Sequence, residues 1–80
     1  MPCYFFDILD VSGLTIDDEG RDLENLEDAR IEAAISLVDI TKDSLRISPG
    51  EAIHRLSIQV RDDAGPVMNV GFRFDIHKKN

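Results

Sequence analysis

Acidic side chains are concentrated just after residue 16, where they form the densest group of potential metal ligands in the sequence. Asp17, Asp18, Glu19 and Asp22 could offer oxygen ligands to a hard cation such as Ca²⁺. A calcium-binding loop also needs twelve-residue ligand spacing, a glycine at its sixth position and a closing bidentate glutamate, which this stretch lacks. Carboxylates ahead of a helix are also favoured by the helix dipole. We therefore interpret the group as a solvated turn and predict no metal site.

Cys3, His54 and His77 are the other residues whose side chains could act in catalysis or ligation. A nucleophilic cysteine needs a neighbouring base and a lowered pKa, and the sequence places no base near Cys3. Strand alternation puts His54 and His77 on opposite faces of a sheet, so we do not expect them to converge. No phosphate-binding loop, dinucleotide fingerprint or nucleophile elbow occurs. The sequence predicts no catalytic residue, no cofactor and no enzymatic activity.

The length and charge of the chain limit the remaining function classes. Eighty residues allow one domain, and the net charge of −7 opposes binding to nucleic acid or an anionic membrane surface. No apolar run approaches the roughly 20 residues of a membrane span, and the first residues lack the basic region of a signal peptide. The single cysteine excludes an internal disulfide. We expect a cytoplasmic protein with a thin stability margin, which a second copy of the chain could widen.

The motif Asp-x-x-Gly occurs at residues 10–13, 17–20 and 62–65. An aspartate can accept hydrogen bonds from the backbone two residues on, and the glycine can close a three-residue hairpin loop. The first and last copies therefore predict hairpins. Loops of that length would bring the following residues opposite one another: Asp10 and Leu14, Ile8 and Ile16, Leu56 and Phe72, Ile58 and Val70, and Val60 and Met68.

The hydrophobic periodicity predicts strands at residues 3–9, 14–17, 54–61 and 67–77, and a helix at 26–46 with Asn25 as its N-cap. Between the middle Asp-x-x-Gly and the helix, the sequence leaves room for one additional pair of extended residues. This ββαββ order predicts an α+β fold, a four-stranded antiparallel sheet with one long helix packed on one face. A fully antiparallel sheet allows the strand order second, first, third, fourth or the order first, second, fourth, third, and we expect the former because it places the aromatic first strand in the centre. Residues 1–80 form a single predicted domain, with 77–80 as a flexible tail.

The predicted helix carries more apolar surface than one sheet can cover. One stripe contains Leu26, Ala29, Ala33, Leu37 and Ile40, and an adjacent stripe contains Ile31, Ile35, Val38 and Leu45. If the first stripe is buried, much of the second faces solvent. Ile31, Ile35 and Val38 could then meet a partner, most simply a second copy of the chain. Alternatively, the twist of the sheet and the connection at residues 47–53 cover them.

The face of the sheet opposite the helix, here called the open face, carries Phe5, Arg55, Arg61 and Arg73. Arginines and an exposed aromatic ring on a sheet could contact RNA. Alternatively, Asp7 and Asp75 pair with these arginines as cross-strand ion pairs. The corresponding functional alternative is a nucleic-acid-linked regulator, which either binds RNA through the open face or mimics nucleic acid and blocks a basic partner.

Four segments of the sequence carry a resemblance: residues 2–7 (PCYFFD), 16–20 (IDDEG), 26–30 (LEDAR) and 58–67 (IQVRDDAGPV). Together they resemble the family called domain of unknown function 6894, short bacterial proteins common in rhizobia and their alphaproteobacterial relatives. The resemblance implies a stand-alone bacterial cytoplasmic domain and names no substrate. The helix pattern leads us to predict a small non-catalytic interaction or regulatory module that self-associates, most simply as a homodimer, through the second apolar stripe of the helix or through an edge strand.

Overall fold

The computed structural model of the chain describes residues 2–47 and 53–75. Within these ranges it contains β1 (Cys3–Asp10), β2 (Gly13–Thr15), β3 (Arg21–Asp22), α1 (Leu26–Ile47), β4 (Ile53–Asp62) and β5 (Gly65–Asp75). The strands form one antiparallel sheet in the order β2-β1-β4-β5, with β3 also paired to β1. The helix packs against β4 and β5. The α+β class and the strand order predicted from the sequence are confirmed, and β3 is the extra extended pair. His77 and the predicted tail lie outside the described residues.

Helix α1 begins where the sequence predicts. The Asn25 side-chain oxygen accepts a hydrogen bond from the Asp28 N–H at 2.9 Å, which satisfies one of the donors that a helix N-terminus leaves free. Ala29 and Ala33 are fully buried, and Leu37 is nearly so. Leu26 was expected on the same buried stripe but is 45% exposed. Side chains in a first turn have fewer neighbours, and here the buried contact with the sheet begins one turn later.

The core lies between α1 and the helix-facing side of the three longest strands. Its centre is Ile58 and Val60, whose side chains are fully buried in the middle of β4. Alternating residues of β1 and β5 surround them, as the period of a strand requires. The buried core consists of Tyr4, Ala29, Ala33, Leu37, Leu56, Ile58 and Val60, and Phe6, Ile8, Leu23, Ile40, Val67, Met68 and Val70 pack against it.

The β4–β5 hairpin has the predicted register in its body. Leu56, Ile58 and Val60 lie opposite Phe72, Val70 and Met68. The turn is one residue shorter than predicted, because the Asp62 carboxylate accepts hydrogen bonds from the N–H groups of Ala64 and Gly65 at 2.8 and 3.2 Å. A register shift beside Val60 absorbs the difference as a β-bulge.

The β1–β2 hairpin differs from the prediction by one residue. Leu14 lies opposite Leu9, and Thr15 opposite Ile8, so the predicted pairing of Ile8 with Ile16 is wrong. The cause is the Asp10 carboxylate, which accepts hydrogen bonds from the N–H groups of Ser12 and Gly13 at 2.9 and 3.1 Å and closes a two-residue turn. Every residue of β2 is exposed, so no buried face forces its apolar side chains inward.

Candidate functional site

A buried carboxylate lies on the open face of the sheet, where the sequence predicted arginines and acids. Asp7 is only 5% exposed. The Arg61 Nε donates a hydrogen bond to Asp7 Oδ2 at 2.9 Å, and the same guanidinium group approaches Oδ1 at 3.4 Å. The hydrogen bond from Arg61 lowers the pKa of Asp7, although burial alone would raise it. The predicted cross-strand ion pair is therefore present between Asp7 and Arg61.

The connection between β2 and β3 lies along the edge of β1 and joins this ion pair. The Asp17 N–H donates to Asp7 Oδ1 at 2.9 Å, and the Phe6 N–H donates to Asp17 Oδ2 at 3.0 Å. The Arg61 Nη2 donates to the Asp17 carbonyl oxygen at 2.8 Å. A side-chain carboxylate thus replaces the carbonyl oxygen that a continuous edge strand would offer to β1. We refer to Asp7, Asp17 and Arg61 as the carboxylate cluster.

Asp17 also closes its own Asp-x-x-Gly turn. Burial raises the pKa of Asp17, but N–H donors from Phe6, Glu19 and Gly20 outweigh it, and the pKa lies below its ordinary value. Gly20 has a φ of +74°, a conformation that favours glycine. A Cβ there would lie 2.7 Å from Cys3 Sγ and 2.9 Å from Phe5 Cε1. The turn therefore lies directly on the open-face side chains of Cys3 and Phe5.

The structure brings together only some of the predicted open-face residues. The Arg61 guanidinium carbon lies 4.4 Å from the centroid of the Phe5 ring, a cation–π distance, so these two residues form one group with Asp7. Arg55 and Arg73 lie opposite each other on β4 and β5, at the far end of the same face. They border a shallow hollow of about 700 Å³ above Ser57 and Gly71. The four residues thus belong to two separate groups.

A cleft of about 580 Å³ separates α1 from the β2–β3 connection. Its walls include apolar side chains of β1 and β4, and its lining also includes Asp18, Glu19 and Asp39. Over the described ranges, no three histidine, cysteine, aspartate or glutamate side chains are arranged to hold a metal ion. The acidic residues 17, 18, 19 and 22, considered above as ligands, do not form such a group.

The outer side of α1 carries the predicted partner residues. Ile31, Ile35 and Val38 are 43%, 52% and 54% exposed, opposite the buried alanines of the same helix. The spacing of four and three residues keeps them in one row, and the same row continues to Asp28 and Lys42 at its two ends. We refer to these five residues as the outer stripe. Neither the sheet nor the described connections cover its three aliphatic side chains.

Two features of the site were outside what the sequence predicted. The role of Asp17 was missed, although its Asp-x-x-Gly motif matches the two predicted hairpin turns and could have indicated a carboxylate bonded to backbone N–H groups. The close approach of Gly20 to Phe5 has no sequence signal, because it depends on how the connection crosses the sheet.

Comparisons with known proteins identify a family and no activity. Across the part of the chain that is described, no helix combines the length and apolar character needed to cross a membrane. Neither the curated proteins nor the solved structures contain a match to this sequence. Residues 3–77 match a family described as Domain of unknown function (DUF6894). With nearly its whole length matched, the chain belongs to the DUF6894 family.

Proposed function

We propose that this chain is a non-catalytic interaction module that acts as a homodimer, with the outer stripe of α1 as its interface. The observation that carries the proposal is the row of three aliphatic side chains, Ile31, Ile35 and Val38, each about half exposed on the side of the helix away from the core. Contiguous exposed apolar surface, bordered by polar residues, is typical of protein–protein contact sites.

A second copy is the simplest partner because the stripe is a single continuous row on a long helix. The 22 residues of α1 extend about 33 Å, at about 1.5 Å per residue. A two-fold axis through the middle of the row would bring each copy's aliphatic side chains onto those of the other. A domain of this size also has a thin stability margin, so additional burial would stabilise it.

The expected affinity follows from the remaining exposure of these side chains. Burying an aliphatic side chain completely contributes about 1.5–3 kcal/mol, and each of these is already about half buried. Six such side chains in a dimer would contribute roughly 5–9 kcal/mol, comparable with an association cost of about 4–15 kcal/mol. The largest gain set against the smallest cost leaves about 5 kcal/mol, so we expect a weak dimer with a dissociation constant of roughly 0.2 mM or above.

Sedimentation velocity between 5 and about 500 µM protein tests the proposal, with Ile35→Glu as the key variant. We expect the wild-type chain to dimerise with increasing concentration and Ile35→Glu to remain a monomer, because dimerisation would bury two carboxylates against each other. Ile16→Glu is the matched control, since Ile16 is 57% exposed but lies outside the stripe, and it should dimerise like the wild type. A monomeric wild-type chain at the highest concentration, or an unchanged Ile35→Glu dimer, would contradict the proposal.

The alternative function, RNA binding through the open face, has less support. Arg61 already donates to Asp7 and to the Asp17 carbonyl, and it lies over the Phe5 ring. Phe5 and Arg61 are therefore engaged within the chain. A gel shift at low salt and tens of micromolar protein is the direct test, and a shifted RNA band would favour the alternative.

A further inference from the structure

We infer that two copies pack their α1 helices antiparallel along the outer stripe, with Ile35 at the two-fold axis and Asp28 of each copy against Lys42 of the other. The inference rests on the proposed homodimer and specifies the orientation and register of its interface. Both follow from the order in which charged and apolar residues occur along the stripe.

The residues of the outer stripe are spaced like the contact positions of a coiled coil. Asp28, Ile31, Ile35, Val38 and Lys42 are separated by three, four, three and four residues, which is the alternation of the contact positions in a coiled coil. Residues with this spacing form a nearly straight row on one side of a helix, so two helices can pack along their full rows at a small crossing angle. The stripe therefore fits another long helix.

The two charged ends of the stripe are equally far from its central residue. Asp28 lies seven residues before Ile35, and Lys42 lies seven residues after it. In an antiparallel pair centred on Ile35, each aspartate lies opposite the lysine of the other copy, and Ile31 lies within one residue of the position opposite Val38. In a parallel pair in register, Asp28 meets Asp28 and Lys42 meets Lys42, so like charges lie together at both ends. The charges therefore favour the antiparallel pair.

Asp28 and Lys42 differ from several other charged residues of the helix in having no described ion pair within one copy. Some other charged residues of the helix form ion pairs within the chain. Arg30 pairs with Glu27 in the first turn of the helix, and Glu32 pairs with Arg21 of β3. In the described part of the chain, neither Asp28 nor Lys42 makes such an ion pair. Of the helix charges without a described ion pair, Asp28 and Lys42 are the two on the outer stripe, and an antiparallel partner would bring them together. In the antiparallel arrangement the dipoles of the two helices also point in opposite directions, which is the electrostatically favourable orientation.

Charge reversal in the full-length chain tests the orientation. Asp28→Lys and Lys42→Asp, each alone, should raise the dissociation constant of the dimer about tenfold, because each places two like-charged pairs in the interface. The double variant Asp28→Lys/Lys42→Asp should return it to within about threefold of the wild-type value, since both pairs are restored in reverse. In a parallel dimer neither single variant changes the number of like-charge contacts, and no rescue occurs.

Disulfide trapping gives a second, independent readout in a Cys3→Ser background. Ile31→Cys mixed with Val38→Cys should cross-link under mild oxidation, whereas Ile31→Cys alone should not. A cross-link from Ile31→Cys alone, together with charge reversals that leave the affinity unchanged, would overturn the antiparallel inference while the homodimer stands. A wild-type chain that stays monomeric would overturn both. Circular dichroism of every variant confirms that the helix has formed.

Discussion

Replacing Asp7 with alanine should remove a large share of the stability of this domain. The carboxylate is 5% exposed and accepts hydrogen bonds from the Arg61 side chain and from the Asp17 N–H. Asp7→Ala therefore removes an ion pair from the sheet surface and leaves the Asp17 N–H without its acceptor. Of the two hydrogen bonds that join Asp17 to β1, only the one from the Phe6 N–H to the Asp17 carboxylate remains.

The magnitude follows from the two lost hydrogen bonds. A hydrogen bond that involves a charged group contributes about 1.5–3 kcal/mol. The Arg61 side chain is one-third exposed and keeps its bond to the Asp17 carbonyl, so it stays hydrated and part of the loss is avoided. We expect Asp7→Ala to lower the free energy of unfolding by about 3 kcal/mol, against a total of roughly 4–12 kcal/mol for a chain of this length. The midpoint of thermal unfolding should fall by roughly 15 °C.

The assay is urea denaturation followed by circular dichroism, at one protein concentration and in the Ile35→Glu background so that dimerisation does not contribute. Asp7→Asn should lower the free energy of unfolding by less, because the amide oxygen can still accept a hydrogen bond from the Asp17 N–H. Glu27→Ala is the matched control: it removes a carboxylate from the exposed Arg30–Glu27 ion pair and should leave the midpoint unchanged. If Asp7→Ala destabilises the domain no more than Glu27→Ala does, the contacts of Asp7 do not stabilise the fold as proposed here.

Two further predictions concern the same side of the sheet. Since the pKa values of Asp7 and Asp17 are lowered in the folded state, their contribution to stability is complete above the ordinary carboxyl range near pH 4 and is lost as the pH falls through the folded values. Urea midpoints measured from pH 6 to 2 should therefore decrease toward acid, and Asp7→Asn should make that decrease shallower; a pH-independent midpoint would contradict this. Gly20→Ala should lower the thermal midpoint by several degrees, because its Cβ would clash with Cys3 and Phe5. Gly71→Ala, whose Cβ would meet nothing closer than 4.0 Å, should leave the midpoint unchanged or raise it slightly, and equal effects of the two substitutions would argue against the close contact.

The two hairpins show which part of the sheet could be predicted from the sequence. In β4–β5 the buried side chains must meet across the strands, so a one-residue slip would send the residues of β5 to the wrong face. The apolar pattern therefore predicted the register. In β1–β2 the short strand β2 is exposed on both faces. Its register depends on which N–H groups donate hydrogen bonds to the Asp10 carboxylate. The apolar residues Leu14 and Ile16 gave a misleading pattern there.

The carboxylate cluster could be predicted only in part. Pairing of Asp7 with an arginine of the open face followed from strand alternation and is confirmed for Arg61. The position of Asp17 could not be predicted, because it lies 10 residues from Asp7 and 44 from Arg61 in sequence. It depends on the interruption between β2 and β3, where a side chain takes over a backbone hydrogen bond. Sequence periodicity carries no information about such an interruption.

The two faces of the domain differ in what they leave unpaired. On the open face, Asp7, Asp17 and Arg61 satisfy one another, and their contacts hold the sheet and its edge connection together. On the outer stripe, aliphatic side chains remain half exposed and the charges at both ends have no described ion pair. The exposed half of each aliphatic side chain at positions 31, 35 and 38 contributes nothing to the folding of one copy, whereas the proposed interface would bury it.

The stability of the monomer distinguishes a structural role of the outer stripe from a role in binding a partner. If the stripe serves only a partner, Ile35→Glu should abolish dimerisation but leave the free energy of unfolding of the monomer close to that of the wild type at low concentration. Replacement of an exposed helix residue by a good helix former has little effect on stability. If Ile35 instead supports the fold, the same substitution should destabilise the monomer, as expected for Asp7→Ala. Urea denaturation of both chains below the dimerisation range therefore decides which role Ile35 has.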